Sequence, residues 1–121
     1  MSLLLYKILH LTALITLFTL AGGTALHAAN GGDKASNRAR GLVGILHGIA
    51  LVVALVSGFG LLARLGLGFD NGWIWVKLAI WLTFAVLGTL PYRKPALAKP
   101  ILLLLPLLAA LAAYLALYKP F

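Results

Sequence analysis

The sequence predicts an all-α fold, an integral membrane bundle of four antiparallel helices. Three observations carry this. Apolar residues make up 63% of the 121 and charged residues only 10%, with a mean hydropathy of +1.06. A soluble domain carries about 25% charged residues, so this chain has no polar coat for a water-facing surface. Four apolar runs, each close to the ~20 residues that cross a ~30 Å hydrocarbon core, are separated by polar, glycine-rich or proline-rich breaks. Strand-like alternation is absent, and backbone groups in lipid must be satisfied internally, so the runs are read as helices.

The first span is placed at about residues 8–29, between Lys7 and the polar loop NGGDKASNRAR. Its length, and bulky His27 three positions before the obvious cut after Ala29, favour a retained span over a cleaved signal peptide. The second span, 41–63, is free of charge and ends at Arg64. A glycine-rich turn, LGLGFDNG, leads to the third at 73–90. The segment PYRKPALAKP breaks the chain again, since its prolines do not continue a helix. The fourth span covers 101–118 with Pro106 near its start. Connections this short require antiparallel neighbours, and the 121 residues form one transmembrane domain.

The net charge is +8. Its ten basic residues lie scattered between apolar runs, which reads as topology signals and contacts with anionic lipid headgroups, not as a nucleic-acid surface. Lys34, Arg38, Arg40, Arg93, Lys94 and Lys99 lie on the side of the first and third loops; Lys7, Arg64, Lys77 and Lys119 lie on the other. That excess puts the loops in the cytoplasm and both termini in the periplasm of a bacterial inner membrane. No cysteine is present, which excludes disulfides, thiolate metal sites and covalent c-type haem. Histidine is left as the strong metal or haem ligand.

Small residues mark where helices approach closely. Ala21, Ala25 and Ala29 recur at four-residue spacing in the first span. Gly44 and Gly48 form Gly-x-x-x-Gly in the second, and Ala109/Ala113 with Ala112/Ala116 repeat the pattern in the fourth. Such patches let backbones touch. They serve packing inside the bundle or, at Gly44 and Gly48, a homodimer face.

Ionisable groups within the spans are costly and so are functional candidates: His10, His27, His47 and Lys77. At 100° per residue His10 shares a face with Leu14, Leu17 and Ala21, and His47 one with Ala54 and Gly58, so both point inward. His27 lies at the membrane edge. From the rise of ~1.5 Å per residue, His10 is ~3–5 Å inside the terminal-side boundary and His47 ~10 Å inside the opposite one. The two stand roughly 15 Å apart in depth, which disfavours a single haem clamped between them unless a helix is strongly tilted. His10 and His47 stay candidate metal ligands, with His47 a further ligand beside a His10–Lys77 site. Lys77 lies near the depth of His10, on a stripe with Trp73, Trp81, Phe84 and Gly88. It snorkels to the interface or turns inward to His10, an aromatic ring or an anionic ligand. Arg64, Tyr114 and Tyr118 end near the same side. Cations among aromatic rings suit a flat carboxylate-bearing molecule or a quinone headgroup. The only acids, Asp33 and Asp70, fall in loops, which counts against a proton pump or cation transporter.

LYKILH near the start, a histidine early in the second span, Ser57-Gly58 near its end, Trp73 to Lys77 opening the third and Tyr114 in the last resemble the SirB family of small four-helix bacterial membrane proteins. The second-span histidine is followed here by Gly48-Ile49-Ala50, where an acidic residue is common in that family. The first-helix histidine and third-helix lysine also resemble HemJ-type protoporphyrinogen oxidases and, more loosely, the copper-resistance D proteins. The HemJ resemblance implies a haem b or porphyrin site at His10 and Lys77. The SirB resemblance implies a fold and a membrane address. Three functions are therefore expected in competition: a non-enzymatic accessory or regulatory membrane protein, a haem-, porphyrin- or quinone-binding redox protein, and a metal or small-molecule transport component.

Overall fold

The computed structural model describes residues 2–119, and among them the regular structure is entirely helical. Helix α1 is Leu3–Ala29, α2 Arg40–Leu65, α3 Gly72–Leu87, α4 the single turn Leu90–Arg93, and α5 Ala98–Tyr118, preceded by a 3-10 turn at Pro95–Leu97. Three stretches are long and apolar enough to cross a membrane: Leu3–Ala29, Arg40–Leu65 and Pro95–Tyr118. Helix α3 is apolar but only 16 residues long.

Each boundary has a local cause. Helix α1 starts five residues before the expected Ile8 because Ser2 caps it, its hydroxyl accepting from the Leu5 N–H at 3.1 Å. Lys7 is a good helix former and gives no reason to stop. At the far end, Gly31 takes φ 87°, the Gly32 N–H bonds the His27 carbonyl at 2.9 Å and the Gly31 N–H that of Ala28 at 3.1 Å. This is a Schellman close. Helix α2 ends the same way, with Gly66 at φ 68° and the Leu67 N–H on the Leu62 carbonyl at 2.9 Å.

The third span ends at Leu87, not Leu90. Pro91 has no N–H to offer the Leu87 carbonyl four residues back, and its ring collides there, so the chain restarts at α4 with Pro91 in its first turn. Helix α5 begins at Ala98, earlier than expected, because Pro100 falls in the first turn, where no N–H needs a partner. The helix runs on through Pro106.

Helices α1 and α2 run antiparallel, with Tyr6 against Gly60 and His10 against Gly58, and so do α2 and α3, with His47 against Gly88 and Trp81 bonded to Leu51. The core gathers Ala13, Leu17, Ala21 and Ala25 of α1 with Ala50 and Ala54 of α2, Phe84 and Leu87 of α3, and Ile101 and Leu105 of α5. Alanines on both sides of the α1–α2 seam let the backbones approach, as in small-residue interfaces. The expected glycines do not serve this purpose. Gly44 and Gly48 face outward, and a Cβ on either would meet nothing within 4 Å. Ala109 and Ala113 of α5 are likewise exposed. The fully buried residues of α2 begin at Ala50, beyond the glycine pair, and before it His47 turns its ring toward Gly88. The outer surface is as apolar as the interior, with Leu103 75% and Leu117 80% exposed.

Candidate functional site

The His10 ring crosses from α1 to α2, where Nδ1 lies 3.0 Å from both the Ala54 carbonyl and Ser57 Oγ. A carbonyl only accepts, so Nδ1 carries the proton in the neutral ring. Ser57 sends its own hydrogen back along α2 to the Val53 carbonyl, and its oxygen is then free to accept from Nδ1. The tautomer is fixed by α2. Nε2 is left with a lone pair, buried and without a partner.

His10 lines a cavity of about 100 Å³ together with Ala54 and Gly58 of α2, Trp73, Lys77, Trp81 and Phe84 of α3, and Ala112 of α5. Trp73 is 5% and Phe84 1% exposed. Trp81 is anchored by its indole N–H, which donates to the Leu51 carbonyl at 2.9 Å. Phe84 meets Phe18 edge-on at 4.6 Å between centroids. The cavity therefore has aromatic walls, one imidazole and one ammonium. Asp33 and Asp70 are outside the helices, so no carboxylate neutralises Lys77 within them. At the C-terminal end of α5, Lys119 lies over the Trp73 ring, 6.0 Å from its centroid.

The structure thus brings His10, Lys77, Trp73 and Trp81 to one place. Other candidates lie elsewhere. His47 sits at the far end of α3, where its ring presses on Gly88: a Cβ there would come 2.7 Å from Nε2. Since His10 is level with Ala54 and Ser57, seven to ten residues along α2 from His47, the two rings are ~10–15 Å apart in depth. Arg64 is exposed. Tyr114 is 47% exposed and stacks on Tyr118 at 5.2 Å on the outer face of α5, because Leu115 takes the inward position. Both ends of this tyrosine pair are at the right depth but rotated away. Two partners of His10, Ala54 and Ser57, are not among the site residues that periodicity points to. Ser57 is the one hydroxyl residue in the second span, which is the signal that marks it.

No metal-ligating group of three or more His, Cys, Asp or Glu exists among the described residues. A neutral histidine held through Nδ1 by a carbonyl is a usual way to orient a metal or haem ligand, but the space enclosed beside this ring is small. Pockets for drug-sized ligands run about 300–1,000 Å³, whereas this cavity holds about 100 Å³. A dry cavity of ~150 Å³ accepts a benzene ring; this one is smaller but open on one side, so a single ring fits only by protruding toward the helix surface.

No family model, curated protein or solved structure matches the chain.

Proposed function

We propose that this chain is a multi-pass protein of the bacterial inner membrane, a SirB-like antiparallel bundle of four helices. Its role is accessory or regulatory: it holds a single oxygen-bearing ring of the quinone-headgroup type in the cavity between His10 and Lys77. The observation that carries this reading is the shared cavity itself, in which an ammonium with no carboxylate partner among the described residues and a locked imidazole face aromatic walls. Lys77 would donate to a ring oxygen, Trp73, Trp81 and Phe84 would flank the ring, and a prenyl or acyl tail would leave toward lipid.

Membrane insertion is supported by the outward leucines and by the hydroxyls on the outer faces. Thr12, Thr16 and Thr19 each bond the carbonyl four residues back, at 2.7, 2.8 and 2.8 Å. Exposed hydroxyls turned onto their own helix need no water. Phe59, Phe69 and Trp75 form an exposed aromatic group at the α2–α3 turn, as at a membrane interface. Helix α3, ~24 Å long by its rise, would cross together with α4.

The test is titration of the purified protein with decylubiquinone, decylubiquinol and benzoate, read by tryptophan fluorescence. Saturable quenching by a ring compound, lost in Lys77→Met, is expected. Equal response of wild type and Lys77→Met to all three would sink the proposal.

A further inference from the structure

At the opposite end of the molecule, the loop of residues 30–39 and α4 face each other across a cleft of about 390 Å³, lined by Asp33, Lys34, Ala35, Thr89, Tyr92 and Arg93. The walls are tied together. His27 Nδ1 and the Tyr92 hydroxyl are 2.8 Å apart, and their rings meet edge-on at 5.6 Å. Asn37 Nδ2 donates to the same hydroxyl at 3.2 Å. In the loop, the Ser36 N–H donates to Asp33 Oδ1 at 2.7 Å and the Asp33 N–H to Ser36 Oγ at 3.0 Å. Ser36 Oγ also lies 3.4 Å from His27 Nε2. The end of α1, the loop and α4 are thereby held as one unit, with Lys34 and Arg93 on its two walls.

We propose that this cleft binds the phosphate of an anionic lipid headgroup. Lys34 and Arg93 make no ion pair with Asp33, whose Oδ1 is engaged by the loop backbone, so two cations face one acid. A guanidinium fork and an ammonium are the usual pair for phosphate oxygens. The other Asp33 oxygen would accept from a headgroup hydroxyl, as glycerol would offer, and the excess of cations over Asp33 would disfavour a choline group. The cleft lies at the helix ends on the side where Arg38, Arg40, Lys94 and Lys99 add to the positive field, the setting in which basic groups attract anionic leaflets. The site is separate from the ring cavity and does not depend on it.

The experiment measures binding of phosphatidylglycerol, phosphatidylcholine and inorganic phosphate to the detergent-solubilised full chain by native mass spectrometry and by the shift in thermal midpoint. Wild type should retain phosphatidylglycerol over phosphatidylcholine. The double variant Lys34→Gln/Arg93→Gln, which removes only exposed groups and leaves the core intact, should weaken that retention roughly tenfold. Lys7→Gln, an equally exposed cation at the opposite end, should leave it unchanged. A midpoint shift with lipid but not with inorganic phosphate assigns the phosphate to a headgroup; a shift with inorganic phosphate alone assigns it to a soluble anion and overturns the lipid source. No preference for phosphatidylglycerol, or a preference kept in the double variant, overturns the site. Loss of ring binding in Lys77→Met bears only on the cavity.

Discussion

The His10 ring lies against Gly58: a Cβ on that glycine would come 3.2 Å from Cε1 and 3.7 Å from Nδ1. Gly58 is thus the clearance that lets a histidine of α1 reach the Ala54 carbonyl one turn earlier on α2. Gly58→Ala should gain ~0.5–1 kcal/mol of helix propensity but push on a ring that two hydrogen bonds hold in place. We expect a net loss of about 1 kcal/mol in wild type and a net gain in a His10→Ala background. Thermal unfolding of the four-protein cycle in detergent checks this; the same sign in both backgrounds would contradict the contact.

Lys77→Met should stabilise the fold while abolishing ring binding. Lys77 is half-buried among aromatic rings, where an ammonium loses hydration, and no carboxylate in the helices offsets it. Methionine keeps the length and removes the charge. A rise in midpoint together with loss of tryptophan quenching is the expected pair of results. A fall in midpoint would mean that Lys77 has a partner that stabilises it.

Added haem should give no Soret band that depends on His10, since the cavity holds about 100 Å³. Spectra of wild type and His10→Ala with haem in the same detergent should coincide. A wild-type band lost in the variant would require α2 and α3 to part.

The stripe of Trp73, Lys77, Trp81 and Phe84 was legible from helical periodicity, as was the inward face of His10, because both follow from 3.6 residues per turn. The partners of His10 were not. Which carbonyl of α2 meets its ring depends on the axial register of two helices, and a one-turn slide would exchange Ala54 for another residue. Gly44 and Gly48 do not pack inside the bundle for a related reason: a Gly-x-x-x-Gly motif says that close approach is permitted, the alanines at 50 and 54 have the better inward rotation, and the glycine pair faces outward. Tyr114 and Arg64 were placed correctly along their helices but not around them. Tyr92 gave little warning, since a tyrosine beside arginine in a proline-rich break reads as ordinary interface.

The Asp33–Ser36 turn should respond to acid. The Ser36 backbone N–H, then the Ser36 hydroxyl, hold the Asp33 carboxyl below its ordinary value. A depressed carboxylate contributes above its unfolded pKa and loses that contribution as pH falls through its folded value. The turn should therefore be insensitive around neutrality and open only in acid, below the ordinary range of an aspartate carboxyl. The Ser36 amide proton shift against pH reports it, and Asp33→Asn should remove the transition.

Of the three tryptophans, Trp73 and Trp81 line the cavity, whereas Trp75 is 56% exposed and donates to the Phe69 carbonyl at 2.8 Å. The protein consequently carries its own optical gauge. Emission from the inner pair responds to whatever enters between His10 and Lys77, the outer indole records the surroundings of the α2–α3 turn, and single Trp→Phe replacements separate the two signals without an attached dye.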